Sequence, residues 1–204
     1  MSNLDDNKPI KQDLDVYWTD EMAQILETWG IGHVWNEIQF LMGGCSGRVL
    51  DIACGTGKTM EILKEYNHID LYGCDISDLL ISKAKERGIK EEKLLVCDAT
   101  SMDYPDGFFD YAYTIGSLEH FTEEGIEKLL KETSRLAKKA SFHMVPVSKT
   151  NKDEGWKKTF QSFHNNSVEW WIGKYSASYS RVHVIDSGWS DHMSIGKWFL
   201  CYND

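Results

Sequence analysis

The chain has 204 residues, 22 of them basic and 32 acidic, which gives a formal net charge of −10 at pH 7. This length is enough for one domain with a substantial core. The negative charge argues against a protein that mainly neutralises nucleic-acid phosphates or lies on anionic lipid. No apolar run approaches the roughly 20 residues that a membrane-spanning helix needs.

The first segment, residues 1–15, is polar and acidic, the opposite of a secretory leader, and it therefore predicts a cytoplasmic protein. Five cysteines are spread along the chain, and none forms a C-x-x-C pair. The sequence thus gives no support to a zinc site or a redox dithiol. We expect Cys54, Cys74 and Cys97, each at the end of a strand, to be buried reduced thiols.

Apolar residues recur at helical spacing between Tyr17 and Met42, and they predict two helices broken at residues 30–32. A glycine-rich loop follows and leads into an apolar run from Val49 to Ala53, which predicts a buried parallel strand. That strand ends at a turn with two glycines. Glycine allows a sharp turn and lets a ligand approach the backbone where a Cβ would block it. The segment predicts either a nucleotide-type cofactor site or a purely structural turn.

Three cofactor-binding motifs can be compared with this turn. A phosphate-binding P-loop fails because Ile52 stands where its first glycine belongs, and a dinucleotide motif is incomplete because Met60 replaces its third glycine. The pattern Asp51-x-x-Cys54-Gly55-x-Gly57 resembles the first motif of class I S-adenosylmethionine-dependent methyltransferases. The resemblance implies a cofactor whose methionine end crosses the glycine turn, with Asp51 acting on its ammonium group.

The next two predicted strands, residues 70–74 and 93–97, are each followed by an acid. Asp75 lies 20 residues beyond Gly55, the distance at which an acid meets a bound ribose, although it could instead cap the next helix. In the resembled family, the acid matching Asp98 contacts the adenine amino group. The cofactor-binding residues that we predict are Tyr17, Trp18, Asp51, Ala53, Gly55, Thr56, Gly57, Asp75, Ile76, Asp98, Ala99, Thr100, Ile115 and Gly116.

A Pro-Asp-Gly turn at residues 105–107 leads into an aromatic fourth strand that resembles the corresponding family motif. The Leu118-Glu119-His120 segment after it resembles the loop that passes the transferable methyl in small-molecule methyltransferases. We predict His120 as the general base for a hydroxyl acceptor, with Glu119 orienting it or binding substrate. A role for His120 in packing or hydrogen bonding alone is an equally open alternative.

The last part of the chain predicts a helix to about Lys139, with Thr122 as its N-cap and Glu123 and Glu124 in its first turn. A fifth strand (141–147), a short aromatic helix (168–175) and two closing strands (181–186 and 195–202) follow. The resemblance implies an α/β, Rossmann-like, doubly wound sheet of seven strands in the order 3-2-1-4-5-7-6, with the last strand antiparallel and N-terminal lid helices. We expect one domain over residues 1–204. Its cap helices lie in residues 1–46, its cofactor-binding core in residues 47–147, and the segment that covers the acceptor, with the closing strands, in residues 148–204.

Polar and aromatic residues are mixed in the last third of the chain, which suits a polar acceptor that stacks on rings. We predict the substrate residues His164, Asn165, Trp170, Trp171 and Trp189, within a wider polar group that includes Asn166, His183, Asp186, Asp191 and His192. No i, i+4 or H-x-H spacing supports a metal, so none is predicted. This region is also similar to methyltransferases of bacterial surface-polysaccharide pathways, which implies a sugar hydroxyl or phosphoryl acceptor.

The sequence therefore predicts a methyltransferase (EC 2.1.1.-) that uses S-adenosylmethionine and releases S-adenosylhomocysteine. The expected partners are a small-molecule substrate and at most a second copy of the chain, with no nucleic acid and no membrane. Two alternatives remain open. One is a methyltransferase that acts on protein or nucleic acid, and the other is a cofactor-binding protein without catalytic activity.

Overall fold

The computed structural model describes residue 12 and residues 14–203, so most of the polar segment 1–15 lies outside the described residues. Its strands, numbered in chain order, are β1 (Gly47–Ile52), β2 (Ile69–Asp75), β3 (Leu94–Val96), β4 (Phe109–Ile115), β5 (Ala137–Ser148), β6 (Trp156–Lys157), β7 (Phe163–His164), β8 (Arg181–Ser190) and β9 (Ser194–Tyr202). Its helices are α1 (Asp20–Thr28), α2 (Val34–Met42), α3 (Lys58–Leu63), α4 (Asp78–Glu86), α5 (Glu123–Leu136) and α6 (Val168–Ser176).

Seven strands form one sheet in the order β3-β2-β1-β4-β5-β9-β8. Strands β1 to β5 are parallel, and β9 runs antiparallel between β5 and β8. The predicted strand order and the antiparallel last strand are therefore confirmed. A parallel arrangement brings the carboxyl ends of β1 to β5 to one edge of the sheet, where ligands bind in open α/β folds.

Alternate residues of β1 face two separate cores. Leu50 and Ile52 pack in the core that also contains buried residues of α5, whereas Val49 packs with buried residues of α2 on the opposite face. Helices thus cover both faces of the central strands, which is why neighbouring residues of β1, Val49 and Leu50, are both apolar and buried. No helix of residues 14–203 is both long and apolar enough to cross a membrane.

Four helices begin at a hydroxyl side chain that accepts a hydrogen bond from the backbone of the first turn. These N-cap residues are Thr19, Ser77, Thr122 and Ser167, at the starts of α1, α4, α5 and α6. Each helix also has an acidic residue in its first turn, which complements the positive end of the helix dipole. The predicted cap at Thr122 is therefore present.

Two boundaries differ from the sequence prediction. Helix α5 ends at Leu136 and β5 begins at once with Ala137, because Ala137 pairs with Phe109 across a register shift in β4. The polar segment 148–165 contains the small antiparallel pair β6–β7, which was not predicted. Strands of two residues are too short to show an alternating pattern, so only their long-range pairing reveals them.

Candidate active site

The glycine turn follows β1 at the carboxyl edge of the sheet. Ala53, Gly55 and Gly57 all have positive φ, at 57°, 55° and 72°. A Cβ on Gly55 would lie 2.9 Å from Leu26 of α1, so this glycine lets the lid helix approach the turn. A Cβ on Gly57 would instead collide with Ile89 on the other side. Gly57 is thus required for packing and does not line the cavities described below.

Asp75, at the end of β2, ties the turn to its neighbouring strand. Its Oδ2 accepts a hydrogen bond from the Gly55 N–H at 2.9 Å, and its Oδ1 accepts one from the Ser77 N–H at 2.9 Å. Burial raises the pKa of Asp75, and the two backbone donors oppose that shift. Each carboxylate oxygen keeps a second lone pair. Asp75 also lines the cavity, so its carboxylate is available to a pair of ligand hydroxyls.

Asp51, in β1, is a buried acid without a counter-charge. Its side chain is 3% exposed, and Oδ2 has no hydrogen-bond partner of ordinary geometry. Burial raises the pKa of Asp51 to about 8. An unpaired buried carboxylate is costly unless a cation or a donor meets it. Because Asp51 lines a cavity beside the glycine turn, the residues fit a cofactor that brings an ammonium group to this point.

Most of the predicted cofactor residues line two adjoining cavities at this edge. The first is bordered by Tyr17, Ala53, Gly55, Asp75, Ile76, Asp98, Ala99, Ile115 and Gly116, and the second by Asp51, Ala53, Gly55, Thr56 and Ile115. The first cavity also has walls that the sequence did not predict, namely Gln12, Leu26, Leu80, Ser117, Phe121 and Gln161. These come from segments far apart in the chain and carry no motif.

Two predicted cofactor residues besides Gly57 lie outside these cavities. Trp18 is 42% exposed, and its indole N–H donates to Asp78 at 2.8 Å, so its ring attaches the lid to α4. Thr100 donates both its N–H and its hydroxyl to Asp98 Oδ1 at 2.8 Å and thereby orients that carboxylate. Trp18, Gly57 and Thr100 thus do not line either cavity, and their contact with a cofactor stays a prediction.

Helix α1 is attached to the glycine turn by a charged cluster. The Arg87 guanidinium donates to the Thr56 carbonyl at 2.9 Å, to Glu61 at 2.7 Å and to Glu27 of α1. The Thr56 hydroxyl also donates to Glu27 at 2.7 Å. Helix α1 contributes Leu26 to both of these cavities and to the third one described next. The cluster therefore determines the position of this lid helix over the cavities.

A further cavity of about 310 Å³ adjoins the first and shares Leu26, Gly116 and Gln161 with it. Its remaining walls are Met22, Ile25, Trp29, Glu119, His120, Pro146, Thr159, Phe160, Phe163, Trp189 and Asp191. We call it the acceptor cavity. Its walls are mostly apolar and aromatic, and they include two acids but no lysine or arginine.

His120 is held in one tautomer at the wall of the acceptor cavity. Its Nδ1 lies 2.9 Å from the Ser162 carbonyl, which can only accept, so we assign the proton to Nδ1. Nε2 is therefore left with its lone pair. Burial lowers the pKa of His120 to about 4, which leaves the ring neutral at pH 7. The side chain can accept a hydrogen bond from a ligand but is a weak base.

Glu119 is the second polar group of this wall. It is 4% exposed, and its enclosed Oε2 has no hydrogen-bond partner. Burial raises the pKa of Glu119 to about 8. A Cβ on Gly116 would lie 3.6 Å from Glu119 Oε1, which places this carboxyl at the junction between the two larger cavities.

The predicted substrate residues are separated by the structure, and only Trp189 lines the acceptor cavity. His164 is enclosed between Trp156 and Trp170, at ring-centroid distances of 4.8 and 5.3 Å. Asn165 donates to Glu154 and accepts from Ser194. His164, Asn165, Trp170 and Trp171 do not line the acceptor cavity, and their assignment as substrate residues stays a prediction.

The wall is instead completed by Thr159, Phe160, Gln161 and Phe163, which belong to the segment expected to cover the acceptor. Of the wider polar group, Asp191 also reaches the cavity. The described residues contain no group of three or more His, Cys, Asp or Glu side chains placed to hold a metal ion.

Comparison with known proteins agrees with this geometry. Residues 49–140 match the family model of a methyltransferase domain. A phosphoethanolamine N-methyltransferase 2 from Haemonchus contortus, solved with S-adenosyl-L-methionine, has a TM-score of 0.70 at 15% identity, with 93% of this chain and 58% of that chain covered. The chain is thus similar to a methyltransferase domain over residues 49–140, and it shares its fold with a structure that was solved with S-adenosyl-L-methionine.

Two curated relatives act on macromolecules. A tRNA (carboxymethyluridine(34)-5-O)-methyltransferase of Arabidopsis thaliana is 31% identical over 61% of this chain and 30% of its own length. An eEF1A lysine and N-terminal methyltransferase of Bos taurus is 29% identical over 44% of this chain and 13% of its own length. The chain thus spans less than a third of either relative. These relatives overturn the exclusion of nucleic acid, which rested on net charge, and the restriction to small molecules, which rested on the resemblance of residues 118–120 and on the polar and aromatic residues of the last third.

Proposed function

We propose that the chain transfers a methyl group from S-adenosylmethionine to an acceptor group held in the acceptor cavity. The observation that carries this proposal is the enclosed Asp51 carboxylate beside the glycine turn, whose Oδ2 has no hydrogen-bond partner of ordinary geometry, in a cavity that adjoins the first one at Ala53, Gly55 and Ile115. When bound, the cofactor supplies an electrophilic methyl on a sulfonium. The task of the protein is then to align an acceptor with it, which contributes up to roughly 7–11 kcal/mol in the best cases.

Each part of the cofactor finds a matching group along the edge of the sheet. Asp51 would meet the ammonium group, and the Asp75 carboxylate would accept hydrogen bonds from the two ribose hydroxyls. Asp98, oriented by Thr100, would accept from the adenine amino group, and the adjacent Ala99 N–H would donate to a ring nitrogen. Tyr17 closes the same cavity from the lid.

The acceptor's proton goes to one of the two polar groups of the wall. Because the pKa of Glu119 is about 8 and that of His120 about 4, Glu119 is the stronger base. We therefore assign proton removal to Glu119 and a positioning hydrogen bond to His120 Nε2, which exchanges the roles that the sequence indicated. General-base catalysis of this kind typically contributes ~10²–10⁴ in rate.

The structure gives little support to a phosphoryl acceptor. Such a group carries negative charge, and the acceptor cavity offers it two acids and no lysine or arginine. An anion in this cavity would be desolvated without a cation to compensate for the lost water. Only the sequence resemblance supports a role in a surface-polysaccharide pathway. The proposed function therefore does not include that role.

Calorimetric titration with S-adenosylmethionine and with S-adenosylhomocysteine tests the proposed function. We expect both to bind to the unmodified chain, and we expect Asp75→Ala to lose binding because it removes the ribose contact and the anchor of the turn. Glu169→Gln, an exposed acid on α6, is the matched control and retains binding. Absence of binding by the unmodified chain, or normal binding by Asp75→Ala, would contradict the proposal.

A further inference from the structure

Two acceptor atoms lie near each other in the wall of the acceptor cavity. Glu119 Oε2 is enclosed without a partner, and His120 Nε2 is free to accept a hydrogen bond because Nδ1 carries the proton. The two residues approach each other only to 3.7 Å, between Oε1 and Nε2. Both groups accept hydrogen bonds when Glu119 is ionised, so this pair offers no donor of its own. A ligand that satisfies it must bring at least two N–H or O–H groups on one atom or on neighbouring atoms.

The charge of the walls favours a cation over an anion. Glu119 and Asp191 are the acids among them, and the walls contain no lysine or arginine. Asp191 Oδ1 is already engaged by the backbone N–H groups of Met193 and Ser194, at 2.8 and 2.6 Å. The Lys149 ammonium donates to the Asp191 carbonyl, and Lys149 is not itself a wall residue. Once Glu119 is ionised, its negative charge is therefore available to a cationic ligand.

Aromatic rings complete the environment of a cation. Trp29, Phe160, Phe163 and Trp189 line the acceptor cavity, and Phe160 is 47% exposed, so its ring is accessible from solvent. The faces of such rings attract ammonium groups, with a larger contribution where water is excluded. A neutral hydroxyl would use the rings only as apolar surface and would leave one of the two acceptors unsatisfied.

We propose that the acceptor is a primary amine, which enters the cavity as an ammonium group and is bound by Glu119, His120 Nε2 and the aromatic walls. This inference rests on the proposed function and names the class of its acceptor atom. On reaction, the amine nitrogen gives one proton to the Glu119 carboxylate, and its lone pair forms the new bond to the methyl carbon. The carbon–sulfur bond breaks with its electron pair on sulfur. The products are a methylated ammonium, S-adenosylhomocysteine and protonated Glu119.

The amine subsite can be probed without knowing the full acceptor. Sinefungin is a cofactor analogue that carries an amine where S-adenosylmethionine carries its methyl, and S-adenosylhomocysteine has nothing there. Calorimetry of both ligands on the unmodified chain should show that sinefungin binds roughly tenfold tighter or more, as expected for a charge-assisted hydrogen bond. In Glu119→Gln this preference should fall close to one, whereas Glu169→Gln should keep it.

The outcomes separate the two proposals. If neither ligand binds to the unmodified chain, the proposed function itself fails. If both bind equally well to the unmodified chain, cofactor binding stands and the amine subsite is wrong. A preference that persists in folded Glu119→Gln would also overturn the assignment to this carboxylate. Should Glu119→Gln fail to fold, Glu119→Asp retains the charge with a shorter reach. It should keep part of the preference, and complete loss of the preference in folded Glu119→Asp would count against the assignment.

Discussion

Glu119 Oε1 and His120 Nε2 lie 3.7 Å apart in the wall of one cavity, and burial shifts their pKa values in opposite directions. The pKa of Glu119 rises to about 8 and that of His120 falls to about 4, which reverses their usual order. Near pH 7 the pair is therefore mostly uncharged before a ligand enters. The pH dependence of kcat/KM therefore distinguishes which of the two residues removes the proton.

The first prediction concerns this pH profile. If Glu119 is the base, it must be ionised, so kcat/KM should rise about tenfold between pH 7 and pH 9 and level off above its pKa of about 8. If His120 were the base, its pKa of about 4 would place the plateau well below pH 7. The measurement is kcat/KM against pH with a methylated acceptor as the readout. A flat profile from pH 6 to 9 would contradict the assignment to Glu119.

The second prediction concerns proton release on cofactor binding. Asp51 has a pKa of about 8 in the ligand-free chain, and an ammonium group beside it favours the ionised form. At pH 7 most chains should therefore release a proton when S-adenosylmethionine binds. Calorimetry in two buffers with different ionisation enthalpies measures this release. Asp51→Asn should bind more weakly, by roughly tenfold or more, and should lose the release. Equal proton counts for both proteins would refute the placement of the ammonium group.

The third prediction concerns stability. Asp51 and Glu119 have folded-state pKa values of about 8, well above the roughly 4 of the unfolded chain. Between these values the folded state binds more protons than the unfolded state, so the free energy of unfolding should fall as pH rises from about 4 to 8. Asp51→Asn and Glu119→Gln remove the acids. Both should therefore raise Tm at pH 8 and weaken its pH dependence. Asp103→Asn, at an exposed loop position, is the control and should change neither quantity.

The fourth prediction concerns the attachment of the lid. Arg87→Ala removes the contacts that join Thr56 of the glycine turn to Glu27 of α1. We expect a lower Tm and a KM for S-adenosylmethionine raised about tenfold, because partly buried charged hydrogen bonds are lost at the cavity wall. Lys83→Ala is the matched control, since Lys83 pairs with Asp20 of the same helix at an exposed position and 2.8 Å. Such pairs contribute little, so similar losses in both variants would contradict the role of Arg87.

The order of elements and the binding edge for the cofactor could be predicted from the sequence. Strands, turns and caps depend on residues that are close in the chain, so they can be predicted from the sequence. Examples are the apolar run of β1, the glycines after it and the caps at Ser77 and Thr122. Asp51, Asp75 and Asp98 followed from the same logic, because acids in or directly after parallel strands meet at one edge. All three line the cavities there.

The acceptor cavity was decided by tertiary structure alone. Phe160 and Gln161 reach it because the short strands β6 and β7 pair around them, and two-residue strands leave no pattern in a sequence. His164, adjacent to Phe163, is instead enclosed between two tryptophans. The sequence shows that Glu119 and His120 are neighbours, but not that both are buried. Burial is what makes the glutamate the stronger base, because desolvation depends on the atoms packed around a group and not on its place in the chain.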